Sequence, residues 1–227
     1  MFESLKDNYK NLANDFKDLP IFNENIFDAI LAPIFFVLVS SFVELNNAIL
    51  ATGLLVGAIV LYRTSRKESL KNAFLGVIGT LIALSIATLQ GSASGFFLPG
   101  IIRDLFIAFI GLVSVLFGRP FTIYTSKYIR GWPQEWFLHK KVKPAYKEVA
   151  IIWILFLGLK GVLQIYFFNS PEILVLIKLG TSNQTTILLL VLTYLYGQKR
   201  LRNLGGPSVD EFNNNTSPPW TGQQSGF

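Results

Sequence analysis

Five polar residues stand inside apolar stretches of this 227-residue chain. They are Arg103, Asp104, Lys160, Gln164 and Lys178. Charged groups are costly within a membrane, so each one pairs with another at its own depth or serves a ligand. At about 1.5 Å rise per residue, Asp104 lies roughly 8 Å from the N-terminal end of its stretch, and Lys160 lies roughly 12 Å from the C-terminal end of its own. The orientation predicted below places both of these ends at the outer face of the membrane. These depths predict an ion pair between Asp104 and Lys160, with the other three residues around it.

This group has two interpretations. With three cations against one carboxylate, it forms a polar pocket in the outer half of a helical bundle, suited to an anionic ligand or a lipid headgroup, with Glu44 near it. Alternatively, Arg103 and Lys178 extend to the headgroups while Asp104 and Lys160 form a purely structural pair. The sequence leaves both interpretations open.

Apolar stretches predict the elements that position these residues. A membrane-crossing helix needs about 20 mostly apolar residues, and 51% of this chain is hydrophobic while 15% is charged. We predict an all-α polytopic membrane bundle of about six transmembrane helices within residues 21–198. Polar residues 180–186 interrupt the last span, as in a broken helix of a transporter or a surface helix followed by a short span. The predicted spans are residues 26–43, 48–62, 73–89, 99–117, 149–168 and 173–197.

Basic residues predict the orientation of these spans. The N-terminal segment, the loops 63–72 and 118–148, and residues 199–227 together hold 17 of the 20 lysines and arginines. The predicted outer turns hold none of them. Because short cytoplasmic loops carry an excess of Lys and Arg, both termini are predicted to be cytoplasmic.

Residues 1–20 predict an amphipathic helix outside the bundle. Apolar residues recur there at spacings of three and four, which places them on one face of a helix. We interpret this face as an interfacial or partner-docking surface, and a coiled-coil seam is the alternative. The face consists of Phe2, Leu5, Tyr9, Leu12, Phe16 and Leu19.

The longest predicted loop, residues 118–148, mixes basic and aromatic residues. This mixture is typical of the headgroup zone, where each Lys or Arg gains about 1 kcal/mol near anionic lipids. We predict that the loop lies on the membrane, and a docking patch for an acidic partner is the alternative. The predicted headgroup contacts are Arg119, Lys127, Arg130, Trp132, Trp136, Lys140 and Lys141.

The polar segment 199–227 is rich in Gly, Pro, Ser, Asn and Gln. Such a composition predicts a cytoplasmic tail that is disordered unless bound. Pro218 and Pro219 before Trp220 would suit a short extended docking motif, which makes Trp220 a candidate partner contact.

Several kinds of chemistry lack the residues they need. The chain has no cysteine and a single histidine, His139, so thiolate chemistry, iron–sulfur clusters and paired axial haem ligands are excluded. Paired carboxylates, a Ser and His pair and metal-ligand spacing are also missing. We therefore predict no enzymatic activity, no cofactor and no metal. The net charge of +6 comes from residues beside spans, so we predict no nucleic-acid partner.

Two motifs carry a resemblance to a known family. The run from Gly95 to Ile102, GFFLPGII, is followed after the next span by Gly118-Arg119-Pro120. Together they resemble an uncharacterised bacterial membrane family, domain of unknown function 3159, over residues 30–200. A more distant likeness is to the intracellular septation protein A family, which implies a link to the cell envelope. Further matching positions are Trp153, Gln164, Tyr166, Lys178 and Gly180. Lys160 is also a matching position, although that family usually has Arg there.

Two functional hypotheses follow. The first is a non-enzymatic scaffold or accessory subunit of a membrane complex, photosynthetic or envelope-related, in a bacterial inner membrane or a thylakoid membrane. The second is a small transporter or channel, or a lipid- or anion-binding protein, that uses the polar residues of the outer half. Membrane lipids, other membrane proteins and a second copy of this chain are the expected partners.

Overall fold

A computed structural model of the protein describes residues 26–66 and 70–227. Within these ranges the regular structure is helical and contains no strand. The all-α prediction is therefore confirmed for the described part of the chain. The amphipathic helix predicted for residues 1–20 lies outside the described residues.

The helices follow the apolar stretches and are separated by short connections. A 3₁₀ helix at Ala93–Phe97 leads directly into the fourth α-helix. The α-helices are α1 (Ile26–Ser40), α2 (Leu45–Ser65), α3 (Leu70–Gln90), α4 (Leu98–Leu116), α5 (Phe121–Arg130), α6 (Gln134–Phe137), α7 (Lys143–Tyr166), α8 (Pro171–Gly180), α9 (Asn183–Leu204) and α10 (Val209–Asn213).

Within residues 26–66 and 70–227, four helical stretches are long and apolar enough to cross a membrane. They are Leu45–Ser65, Ala93–Leu116, Lys143–Tyr166 and Pro171–Leu204. Two further apolar helices, Leu31–Ser40 and Val77–Gln90, are shorter. The last long stretch is divided, because α8 ends at Gly180 and α9 begins at Asn183. The predicted total of about six spans is not confirmed by these lengths and stays a prediction.

The described chain divides into two compact units. The first, named here the polar-site unit, comprises residues 26–66, 70–105 and 159–183. In it α1 packs against α2 and α8, and the 3₁₀ helix packs against α1, α3 and α8. The Phe36 and Phe96 rings meet at 5.0 Å, and Phe97 meets Phe96 edge-on at 5.6 Å. Ile101 and Leu174 complete this core.

The second unit, named here the aromatic unit, comprises residues 106–158 and 184–227. Its core is a run of rings in which Phe137 meets both Trp136 and Tyr146 edge-on at 5.1 Å. Edge-on pairs suit the quadrupoles of aromatic rings and contribute about 0.5–1.5 kcal/mol beyond the buried area. Leu201 of α9 closes this core.

Residues 199–227 are folded onto the aromatic unit, which differs from the predicted disordered tail. Helix α9 continues to Leu204, and α10 starts with a capping box. In this box the Ser208 hydroxyl accepts from the Glu211 amide at 3.1 Å, while the Glu211 carboxylate accepts from the Ser208 amide at 2.7 Å. Phe227 then packs against the aromatic core. Composition did not indicate this, because the stabilising contacts are made with distant parts of the same chain.

Candidate functional site

Asp104 is the centre of the charged group in the polar-site unit. Its side chain on α4 is almost fully buried, with 3% exposure. Oδ2 accepts from the Lys160 ammonium of α7 at 2.8 Å, and Oδ1 accepts from Nη2 of Arg103 at 2.8 Å. The predicted pair between Asp104 and Lys160 is therefore present, and both carboxylate oxygens have a cationic partner.

A local contact between α4 and α7 lies beside this ion pair. Gly161 follows Lys160 and lies directly against the Leu105 side chain, which follows Asp104. A Cβ at position 161 would overlap that leucine side chain. The missing side chain at Gly161 thus leaves room for Leu105 next to the charged neighbours.

Arg103 and Lys160 differ in their environments. The Arg103 side chain is 66% exposed, whereas that of Lys160 is 12% exposed. An exposed cation stays hydrated whether or not the carboxylate is present, whereas a buried cation needs the carboxylate to offset its cost of desolvation. Lys160 is therefore the principal partner of Asp104.

Lys178 adds a third cation to this group. Its ammonium on α8 lies 5.7 Å from the Phe96 ring centre and 5.6 Å from that of Phe97. The charges of Arg103, Lys160 and Asp104 all act on it. Among the residues that the structure describes, no carboxylate lies within ion-pair distance of the Lys178 ammonium.

Gln164 lies one helical turn beyond Lys160 on α7 and is 4% exposed. Its Oε1 is buried and has no hydrogen-bond partner in the described part of the chain. Glu44, the other predicted neighbour, is exposed just before α2, and no ion pair joins it to the group within the described residues. The structure thus brings Arg103, Asp104, Lys160 and Lys178 together.

The predicted headgroup contacts divide by exposure. Arg119, Lys127, Lys140 and Lys141 are exposed, and Arg130 and Trp132 are partly buried. The predicted headgroup contact of Trp136 is wrong, because its ring is fully buried and its Nε1 donates to the Pro207 carbonyl at 2.9 Å. A side chain enclosed in this way cannot reach a headgroup, so Trp136 belongs to the core.

Trp220, a predicted docking residue, makes contacts within the chain. Its Nε1 donates to the Thr216 carbonyl at 2.8 Å, and its ring meets His139 edge-on at 5.4 Å. The Lys141 ammonium lies 5.4 Å from the same ring centre. Burial, followed by the charges of Lys141 and Lys140, lowers the pKa of His139. The other six predicted docking residues, Phe2 to Leu19, lie outside the described residues.

Sequence reasoning missed the pairing of Phe227 with Tyr146. Their rings stack at 4.3 Å with an interplanar angle of 7°. The two residues are far apart in the chain, and no local pattern joins them. For metals, no group of three or more His, Cys, Asp or Glu converges within residues 26–66 and 70–227.

Apolar helices of membrane-crossing length, together with an ion pair on two of them, are the architecture of a multi-pass membrane protein. A family model described as "Protein of unknown function (DUF3159)" matches residues 24–203, and the chain belongs to this family. No curated protein and no solved structure matches the chain. The likeness to the intracellular septation protein A family is not confirmed by these comparisons.

Proposed function

We propose that this protein binds an anionic group beside Lys178 within the polar-site unit. The observation that carries the proposal is the uneven charge of the group, in which Arg103, Lys160 and Lys178 face the single carboxylate of Asp104. Both oxygens of Asp104 are already engaged by Arg103 and Lys160. The positive charge of Lys178 is therefore not balanced by the carboxylate.

The aromatic rings beside Lys178 do not supply a negative charge, so an anion remains the group that would balance its ammonium. Taking a cation out of water costs several kcal/mol, even after the protein relaxes. A cation above aromatic rings recovers about 0.5–2 kcal/mol. Lys178 is only partly buried, so it bears part of this cost; the Phe96 and Phe97 rings offset some of it, and an anion beside the ammonium would stabilise the cation further.

Two sources of this anion share the same chemistry. The phosphate of a phospholipid could lie beside Lys178 with the exposed guanidinium of Arg103 at its edge. A free anion such as inorganic phosphate could occupy the same position. Both would be recognised by charge and by hydrogen bonds from the ammonium.

The proposed topology has about six crossings, with the N-terminal segment and residues 199–227 at the cytoplasmic face. The four long stretches and the two shorter apolar helices together support this number. The distribution of 17 of the 20 basic residues supports the orientation. Reporter tags at the two ends would test it, because tags detected in opposite compartments would contradict an even number of crossings.

The test of anion binding uses the full chain purified in mild detergent. Native mass spectrometry would measure retained phospholipid, and titration with inorganic phosphate would measure binding of the free anion. Lys178→Met should weaken binding at least about tenfold, or about 1.4 kcal/mol. Lys199→Met, which removes an exposed lysine, is the matched control.

The outcomes separate the two sources. Loss of retained phospholipid in Lys178→Met, with no response to inorganic phosphate, identifies a lipid headgroup. A response to inorganic phosphate in the wild type that is lost in Lys178→Met identifies a free anion. Equal binding of both probes by the wild type and a folded Lys178→Met would overturn the proposal.

We propose as a second function that the protein is a non-enzymatic accessory subunit of a membrane complex. The supporting observation is the exposed face of α5, which mixes Lys127 with the large side chains of Tyr128, 92% exposed, and Ile129, 62% exposed. Such a face suits a membrane surface or a partner. Co-purification from native membranes with Tyr128→Ser and with deletion of residues 1–19 would test it, since an unchanged set of partners would contradict a docking role.

A further inference from the structure

Residues 220–227, named here the docking segment, lie on the aromatic unit as a bound peptide would. The Phe227 ring stacks on Tyr146 at 4.3 Å and meets Tyr194 edge-on at 6.5 Å. Gly197 of α9 lies directly below this ring, and a Cβ there would overlap it. An aromatic side chain therefore fills a pocket whose floor is a glycine and whose walls are tyrosines.

Hydrogen bonds hold the backbone of the docking segment. The Glu211 carboxylate accepts from the amide and the hydroxyl of Thr221, both at 2.7 Å, and from the Gly222 amide at 3.2 Å. The Gln224 carbonyl accepts from Nη2 of Arg202 at 2.5 Å. Fixed polar groups thus set the path of the segment while the pocket takes one side chain, which is the division of roles in peptide recognition.

The docking segment is joined to the rest of the aromatic unit by an exposed connection. Residues 214–219, which connect it to α10, are all exposed. Its attachment thus depends on its own contacts and on those of the pocket. Tyr146, Tyr194 and Gly197 lie inside the family match of residues 24–203, and the docking segment lies outside it.

We propose that Tyr146, Tyr194 and Gly197 form a peptide-binding pocket for a segment in which a glycine precedes an aromatic residue. The glycine is needed because Gly226 has a φ of 84° and a Cβ there would lie 2.8 Å from the Trp132 ring. The docking segment of the same chain is its ligand. Because a short tether gives an effective concentration of about the millimolar range, the attached segment excludes a like peptide presented in solution. The pocket is therefore closed in the intact chain and opens when the docking segment leaves.

A binding experiment in detergent tests this pocket. The probe is a fluorescently labelled synthetic peptide with the sequence of residues 220–227, and the readout is fluorescence anisotropy. The peptide should bind a chain that lacks residues 221–227 at least about tenfold more tightly than it binds the intact chain. A peptide with alanine in place of the phenylalanine should lose at least about tenfold in affinity.

Gly197→Ala in the intact chain provides the second variant, and Gly158→Ala is its matched control, because a Cβ at position 158 meets no atom within 4 Å. Hydrogen exchange at the Thr221 and Gly222 amides should become faster in Gly197→Ala and stay unchanged in Gly158→Ala. This measurement uses the intact chain, so it remains possible even if the shortened chain does not fold.

Three results would overturn the proposal. One is equal binding of the peptide to the intact chain and to the folded shortened chain. Another is absence of binding to the folded shortened chain. The third is unchanged exchange at Thr221 and Gly222 in Gly197→Ala.

Discussion

In the polar-site unit a buried ion pair joins two helices, whereas in the aromatic unit neutral hydrogen bonds to backbone join buried groups that are distant in the chain. Asp104 and Lys160 join side chains of two helices at 2.8 Å. In the aromatic unit, Trp136 donates to the Pro207 carbonyl and Thr122 donates to the Tyr146 carbonyl, at 2.9 and 2.8 Å. The two units therefore respond differently to the loss of one partner.

This difference follows from what remains after a partner is removed. A lone buried charge retains its full cost of desolvation, which is several kcal/mol. A lone backbone carbonyl costs about 1–3 kcal/mol. Removing one partner should therefore lower the free energy of unfolding more in the polar-site unit than in the aromatic unit.

The largest expected effect is that of Asp104→Leu. It leaves Lys160 buried without its carboxylate, so the free energy of unfolding in detergent should fall by about 3–5 kcal/mol. Adding Lys160→Leu should recover most of this loss, because a pair replaced on both sides costs little. A double variant whose loss equals the sum of the two single losses would contradict the coupling of this pair.

The next effect is that of Trp136→Phe in the aromatic unit. The substitution keeps an aromatic ring but leaves the Pro207 carbonyl without its donor, so the free energy of unfolding should fall by about 1–3 kcal/mol. Trp220→Phe is the control, because its hydrogen bond to Thr216 is exposed and its loss should cost less. Equal losses for the two variants would show that burial does not set the cost.

Acid should release the docking segment from the aromatic unit. Hydrogen bonds from Ser208, Thr221 and Gly222 lower the pKa of Glu211 to about 2 from an ordinary value of 4.5. Since the folded-state pKa is the lower one, the stabilisation is complete above pH 4.5 and is lost as the pH falls toward 2. Limited proteolysis of residues 213–222 as a function of pH would measure this release. In Glu211→Gln the dependence between these values should disappear.

The smallest expected effect is that of Arg103→Gln. The guanidinium is largely exposed, so its pair with Asp104 should contribute less than about 1 kcal/mol to the free energy of unfolding. Chemical denaturation of Arg103→Gln and Asp104→Leu in detergent would compare their losses in the free energy of unfolding. A loss as large as that of Asp104→Leu would show that the carboxylate depends on Arg103 rather than on Lys160.

Some of the buried contacts in the two units could be predicted from the sequence. Charges within apolar stretches limit their possible partners to the same depth, which is why the pair of Asp104 and Lys160 could be inferred from spacing. The burial of Trp136 could not be inferred, since its carbonyl partner is 71 positions away and its neighbours look like a headgroup loop. Phe227 and Tyr146 were missed for the same reason: contacts between distant residues leave no local periodicity.

The ion pair of Glu148 with Arg200, at 2.8 Å, marks a place where α7 meets water. From Val149 to Tyr166 at about 1.5 Å per residue, the helix offers about 27 Å of length beyond that mark. A typical hydrocarbon layer is about 30 Å thick. The part of α7 beyond that mark is therefore about as long as the layer is thick, so this helix can cross it with little tilt.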